Sequence, residues 1–141
     1  MEIKELKSAS TQQIADLQEL CNVVYSLPSA LSQEGVSSFL ADDHKKLFVA
    51  MEGEKIVGMA TVQYILSLRG ATAHLDDVAV LGEFQGKGIA SGLMASVIDA
   101  ARGYGCRAIE CTSRPDRNAA NALYQKVGFE KRETNVYRLK L

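Results

Sequence analysis

The chain has 141 residues, which fits one compact domain of the usual length of about 100–200 residues. Hydrophobic residues make up 47% and charged residues 23%, a composition that is typical of globular proteins and excludes disordered, collagenous and coiled-coil chains. Its 16 basic and 17 acidic residues give a net charge of -1, which argues against nucleic acid as a partner.

The chain shows no feature of an exported or membrane protein. No apolar run approaches the roughly 20 residues that cross a bilayer, and the first residues are too charged for a secretory signal. We therefore expect a cytoplasmic protein without a membrane partner. The cysteines are odd in number and form no Cys-x-x-Cys pair, so we expect neither a disulfide framework nor a metal site. They are Cys21, Cys106 and Cys111.

Helical and strand periods follow one another along the first half of the chain. A short strand is expected over residues 3–6, and Ser10-x-x-Gln13 resembles a capping box at the start of a first helix. A second helix follows a break at residues 27–29 and ends near residues 42–43. Three strands rich in Val, Ile, Leu and aromatic residues come next, joined by short hairpin turns that predict antiparallel pairing. They cover residues 46–51, 56–66 and 71–81.

The period becomes helical again from Ile89 until Gly103 and Gly105 end the helix. A strand over residues 107–112 then completes a strand-helix-strand unit, which implies parallel pairing through a right-handed crossover. The last helix is expected to begin near Asp116, to bury Ala120, Leu123 and Val127, and to end at Gly128. A terminal strand containing Tyr137 and Leu139 closes the sheet. The predicted fold is an α+β or α/β domain with a mixed sheet.

The segment from Leu75 to Gly92 runs from a strand through glycines into a helix. Backbone N–H groups at such a helix N-terminus favour an anion such as a pyrophosphate, and Lys87 adds a cation. Ser91 takes the place of the third glycine of a dinucleotide fingerprint, and only three residues separate Gly82 from Gly86, where a Walker A loop has four. The turn is therefore an anion site of another kind, or only a tight turn.

Two segments of the chain resemble motifs of a known family. Gln85-Gly86-Lys87-Gly88-Ile89-Ala90 matches the Gln/Arg-x-x-Gly-x-Gly/Ala signature that follows a strand in the GNAT superfamily of acetyl-CoA-dependent N-acetyltransferases. Downstream, the segment from Ala119 to Phe129 looks like the family's helix that ends in Leu-Tyr-x-Lys-x-Gly-Phe. The order of the predicted elements agrees with this family along nearly the whole chain.

The resemblance implies a single N-acetyltransferase domain over residues 1–141. Its fold would be a GNAT-like mixed central sheet, with antiparallel N-terminal strands, parallel splayed strands 4 and 5, and four flanking helices. The implied reaction moves an acetyl group from acetyl-CoA directly to a primary amine, and we prefer a small molecule to a protein N-terminus or lysine as acceptor. A non-catalytic acyl-CoA sensor is the alternative from another class. A homodimer is compatible with the apolar C-terminal strand of Val136, Tyr137, Leu139 and Leu141.

The resemblance also implies which residues hold coenzyme A. Amides of the glycine turn would bind the pyrophosphate, from Gln85, Gly86, Lys87, Gly88, Ile89, Ala90 and Ser91. Backbone groups of Val78, Ala79 and Val80 would bond the pantetheine arm as an added strand. Asn118 or Asn121 would contact coenzyme A; Asn121 lies one helical turn before Tyr124, and many relatives carry the asparagine nearer the position of Asn118.

Catalytic roles follow from the same resemblance. Tyr124 would protonate the departing thiolate. Asp76 and Asp77 interrupt an apolar strand and are candidates for the general base, a role for which a bound water is another candidate. Adjacent strand residues point to opposite faces, so only one carboxylate reaches the cleft unless a bulge intervenes.

We prefer Asp76 as the base and give Asp77 a structural or substrate-binding role, with His74 and Glu110 as weaker alternatives. The acceptor wall would come from polar residues of the early helices and the C-terminal part of the chain. These are Tyr25, Glu34, Arg114, Arg117 and the turn at residues 132–135.

Overall fold

The computed structural model of the protein describes residues 1–26 and 29–141. The predicted break at residues 27–29 therefore falls mostly on Leu27 and Pro28, which lie outside the described residues. The elements follow in the predicted order. They are β1 (Glu2–Glu5), α1 (Thr11–Val24), α2 (Gln33–Ala41), β2 (Lys45–Glu52), β3 (Lys55–Ser67), β4 (Gly70–Val80), a 3-10 turn (Gly82–Phe84), α3 (Ile89–Tyr104), β5 (Ile109–Glu110) and α4 (Asn118–Lys126).

The sheet is mixed, and its strands lie in the order β1-β2-β3-β4-β5. The first three pairings are antiparallel and β4 pairs with β5 in parallel, which confirms the predicted architecture. The parallel contact is brief, because it joins only Ala73 with Ile109 and His74 with Glu110. The strand predicted over residues 107–112 is thus two residues long.

Helices cover both faces of this sheet. Residues that stand opposite each other in an antiparallel pair share a face, and Leu47 stands opposite Thr61 on the face that meets α1 and α2. Gly58 belongs to the other face, where an added Cβ would touch Ile89 and Leu93 of α3. The buried side chains between these layers form one core.

The ends of the helices follow local sequence signals. The Ser10 side chain accepts a hydrogen bond from the backbone of Gln13, whose own side chain accepts one from the Ser10 backbone, so the predicted capping box forms. Helix α3 lies between Gly88 and Gly105, which both adopt the left-handed conformation that glycine tolerates best. Among the described helices, none is both long and apolar enough to span a membrane.

The C-terminal part of the chain differs from the prediction. Helix α4 is shorter than expected, and its buried residue is Tyr124, whereas Ala120, Leu123 and Val127 are half-buried. The terminal strand predicted around Tyr137 and Leu139 is wrong, because residues 129–141 form no regular element. A two-residue edge strand is too short a template for a further strand, and the apolar side chains of this segment stay exposed.

Candidate active site

A bulge interrupts β4 next to β3. Met59 stands opposite Ala79, but two residues later Thr61 stands opposite Asp76, so β4 has one extra residue here. Asp77 lies in this bulge with a φ of 50°, in the left-handed region that residues other than glycine seldom adopt. Such backbone strain concentrates at functional sites.

The bulge brings both adjacent carboxylates to the same face of the sheet. Asp76 shares the face of Thr61 through the register, and Asp77 accepts a 2.7 Å hydrogen bond from the Thr61 hydroxyl at Oδ2. The Tyr25 hydroxyl donates to the other carboxylate oxygen of Asp77. Asp77 is therefore held by two hydroxyl groups, while Asp76 is exposed and accepts from the Asp77 backbone N–H at 3.1 Å.

The groups around Asp77 remain protonated. Burial raises the pKa of the Tyr25 phenol well above its usual range, and its hydrogen bond to Asp77 raises it further. Burial and the nearby Asp77 also raise the pKa of the Cys21 thiol. Tyr25 thus donates to Asp77 as a neutral phenol, and Cys21 is a neutral neighbour.

A cavity of about 600 Å³ opens beside Asp77 between α1, α2 and the sheet. Its walls are mainly apolar side chains from both helices and from β2 and β3. They include Leu17, Val36, Phe39, Leu47 and Met59. Thr61 and Asp77 form its polar end. Among the described lining residues, Asp77 is the one charged side chain.

The glycine turn leaves open space at the start of α3. Gly86 and Gly88 have φ values of 75° and 80°, and a Cβ on either would meet nothing within 4 Å. Gly88 caps α3 without a side-chain hydrogen bond, so the first helical N–H groups face outward. The Gln85 side chain donates to the carbonyl of Val80 at 3.0 Å, which braces the turn against β4. This donor set and this space fit an anionic pyrophosphate.

Beside the turn, β4 and β5 diverge. Their pairing ends at His74 and Glu110, and among the described residues no strand pairs with the outer edge of β4 from Val78 to Val80. A strand edge of this kind offers backbone donors and acceptors to an extended ligand. The free edge thus joins the glycine turn at one end and the bulge at the other.

Residues 11–129 match the family described as Acetyltransferase (GNAT) family. The chain belongs to this family. N-alpha-acetyltransferase RimI of Mycobacterium tuberculosis is 32% identical over 104 residues, which are 74% of this chain and 61% of the relative. Aminoglycoside N(6')-acetyltransferase type 1 of Salmonella typhimurium is 26% identical over 103 residues, 70% of this chain and 71% of the relative.

The fold agrees with that of solved GNAT structures. An aminoglycoside N-acetyltransferase in complex with CoA matches with a TM-score of 0.79 and 21% identity, over 99% of both chains. The chain spans less than two thirds of its mycobacterial relative, at 61%. The expected GNAT architecture, with parallel strands 4 and 5, is thus confirmed.

Tyr124 of this GNAT chain is a buried residue of α4. Its side chain is 8% exposed, and its ring centroid lies 5.7 Å from that of Phe129. Burial raises the pKa of the phenol; Cys111 and Asp76 act in the same direction, and Arg117 opposes them. The phenol thus stays protonated, and Asp76 is near enough for its charge to contribute to this shift in pKa.

The two candidate asparagines have different surroundings. The Asn121 side chain donates to the carbonyl of Arg114 at 3.0 Å and so holds the loop that precedes α4. Asn118 is the first residue of α4 and is exposed. Of the two, Asn118 is therefore the one whose side-chain amide is exposed at the start of the helix.

The remaining predicted residues are spread over several places. His74 and Glu110 sit where β4 and β5 still pair, and Glu110 accepts from Arg132 at 3.0 Å. Tyr25, which is predicted to belong to the acceptor wall, lines the cavity. Glu34, by contrast, is exposed on α2 outside the described cavity lining.

Sequence reasoning missed Thr61 and the apolar walls of the cavity. Thr61 is only 6% exposed and is a polar residue within the apolar run of β3. A buried hydroxyl needs a hydrogen-bond partner. A threonine inside an apolar strand therefore indicates a polar group on a neighbouring element. For the cavity walls the sequence carries no such signal, because a wall residue and a core residue look alike.

Proposed function

We propose that this protein is an acetyl-CoA-dependent N-acetyltransferase whose acceptor is the primary amine of a small molecule. The observation that carries the proposal is the β4 bulge, which lies between the cavity and the free edge of β4. A cavity of about 600 Å³ has the usual size of a small-molecule site. Asp77 offers a carboxylate to an acceptor ammonium there.

The glycine turn and β4 are proposed to hold coenzyme A. Amides of residues 85–91 would bind the pyrophosphate, and the backbone of residues 78–80 would bond the pantetheine arm. Asn118 or Asn121 of α4 would add a side-chain contact to the coenzyme. When bound, the coenzyme supplies the acetyl thioester, and the protein positions it against the acceptor amine.

The two carboxylates and Tyr124 are proposed to move the protons. Asp77 binds the acceptor ammonium, and Asp76, which faces solvent, takes its proton directly or through water. The freed nitrogen lone pair forms the C–N bond while the C–S bond breaks and sulfur keeps the electron pair. Tyr124 gives its proton to that sulfur and regains one from the nitrogen by way of solvent. One amide, one thiol and one proton result for each ammonium consumed.

A thiol-release assay with acetyl-CoA tests this function. Calorimetry first establishes coenzyme binding, and the assay then covers amines, polyamines, amino acids, aminosugars and short peptides. We expect release with small amines. Release with peptides alone would favour the alternative of a peptide N-terminus as acceptor, for which the similarity to RimI speaks. Binding without release from any acceptor would favour the acyl-CoA sensor.

We also propose that two copies of the chain associate through residues 129–141. Four apolar side chains of this segment are at least 75% exposed, and they are Val136, Tyr137, Leu139 and Leu141. The segment follows α4, and its exposed apolar side chains would be covered by the same segment of a second copy. Light scattering on the purified protein tests this, with Tyr137→Asp as the variant expected to be monomeric.

A further inference from the structure

We infer that the acceptor carries a single amine on an apolar body, as in alkyl and arylalkyl amines, and is neither a polyamine nor an aminosugar. This inference rests on the proposed function, because it takes the cavity beside Asp77 as the acceptor site. It goes beyond that function by naming the chemistry of the part of the acceptor that does not react.

The cavity walls match an apolar body. Leu17 of α1 and Val36 and Phe39 of α2 face Met59 of β3 across the cavity. Hydrocarbon placed between them leaves water, and each buried methylene stabilises binding. A sugar ring would bring many hydroxyl groups to a surface that offers them few partners.

The charge of the cavity matches one ammonium group. Asp77 is the one charged side chain among the described lining residues, and it can accept further hydrogen bonds beside those from Tyr25 and Thr61. A second ammonium would have to leave water without a carboxylate to receive it, which is costly. Glu34, the acidic residue of α2, is exposed and is not among the described lining residues.

Most of the other polar lining groups are already engaged or weakly polar, and Ser29 adds one hydroxyl group. The Ser32 hydroxyl accepts the N–H of Gly35 at 2.9 Å and so caps α2. The Cys21 thiol is neutral, since burial raises its pKa. Among the described lining residues the charge is therefore concentrated at Asp77, and the mainly apolar rest of the surface favours hydrocarbon.

A series of n-alkylamines from propylamine to hexylamine tests the inference on the unmodified protein. We expect kcat/KM to rise about fourfold for each methylene that enters the cavity. We also expect 1,6-diaminohexane to be a poorer acceptor than hexylamine by about tenfold or more. A flat series, or a preference for the diamine, spermidine or an aminosugar, would overturn the inference and leave the transferase function intact.

A charge variant gives a second test. Val36→Asp adds a carboxylate to the wall. We expect it to lower kcat/KM for hexylamine and to decrease or invert the ratio of kcat/KM for hexylamine to that for 1,6-diaminohexane. Val23→Asp is the matched control, because Val23 is 51% exposed on α1 outside the described lining. An unchanged ratio of the two amines in a folded Val36→Asp would contradict the inference. If the unmodified protein binds acetyl-CoA but acetylates no small-molecule amine of any class, the proposed function fails as well.

Discussion

The hydroxyl of Thr61 donates a 2.7 Å hydrogen bond to Asp77, which lies 16 residues further along the chain. Tyr25 reaches the same carboxylate from the C-terminal end of α1. Three elements therefore meet at the Asp77 side chain. The backbone of Asp77 is in a left-handed conformation, which costs on the order of 1–3 kcal/mol. We interpret the two hydroxyl groups as the contacts that keep Asp77 in this position.

Thr61→Val tests this interpretation, because it removes the hydroxyl and nearly keeps the shape. We expect kcat/KM to fall about tenfold to a hundredfold, since the loss of one hydrogen bond to a charged group is worth about 1.5–3 kcal/mol. Thr72→Val on β4 is the control, because the Thr72 hydroxyl accepts only from Arg107 at 3.4 Å. Equal activity of the two variants would show that the Thr61 contact does not position Asp77.

Tyr124→Phe removes the proposed proton donor from α4. We expect kcat to fall by about a hundredfold or more, as is typical of a lost general acid, while acetyl-CoA affinity measured by calorimetry stays nearly constant. Tyr104→Phe is the control, because Tyr104 of α3 stacks on Tyr64 of β3, with ring centroids 4.0 Å apart, and has no proposed role in the reaction. An unchanged kcat would remove Tyr124 from the mechanism.

Gly88→Glu places a charge and a side chain at the proposed pyrophosphate site. We expect acetyl-CoA binding to be lost, because the space beside Gly88 is open and would receive the glutamate. Gly53→Glu is a matched control, since Gly53 also has a positive φ, 59°, with open space around it, in the turn between β2 and β3. Loss of coenzyme affinity in both variants would point to strain alone, and retained affinity in Gly88→Glu would contradict the assignment.

The parts of the molecule that the sequence predicts well depend on neighbouring residues. The capping box at Ser10 and the glycines at either end of α3 lie within a few positions of the elements that they limit. The family motif around Gly88 is equally local. Each such signal acts before the chain has folded back on itself, so it can be read from a short window.

The parts that the sequence does not reveal depend on distant contacts. The bulge at Asp77 is set by its register with β3, and neither the two hydroxyl groups nor the apolar walls adjoin it in sequence. The apolar C-terminal segment contains residues typical of a strand, but β5, the edge strand that it contacts through Arg132 and Glu110, is two residues long. Strand propensity without a template does not produce a strand.

Asp16 offers a test of stability away from the site. It is a carboxylate of α1 that is only 4% exposed, and it accepts hydrogen bonds from the Ile56 backbone at 3.0 Å and from Gln12 at 3.1 Å. We expect Asp16→Ala to lower the free energy of unfolding by about 2–3 kcal/mol, because it leaves a buried N–H without a partner.

Denaturant unfolding measures this effect, with Glu19→Ala as the control. Glu19 is 52% exposed and forms a 3.2 Å ion pair with Lys55, so its removal should cost less than about 1 kcal/mol. Similar losses in the two variants would show that the Ile56 contact contributes little.

Variants of the two adjacent carboxylates, Asp76 and Asp77, are expected to change different kinetic constants. Asp77→Asn keeps a residue type that tolerates the left-handed backbone but removes the charge that is proposed to bind the acceptor ammonium. We therefore expect its KM for the amine to rise about tenfold to a hundredfold.

Asp76→Asn leaves that charge in place and removes the exposed carboxylate proposed as the base, so kcat should fall and the KM for the amine should change little. Initial rates over a matrix of amine and acetyl-CoA concentrations separate the two constants. If Asp77→Asn lowers kcat and Asp76→Asn only raises KM, the two roles are exchanged. The carboxylate that moves the proton must be the one whose loss lowers kcat, the rate of reaction within the bound complex.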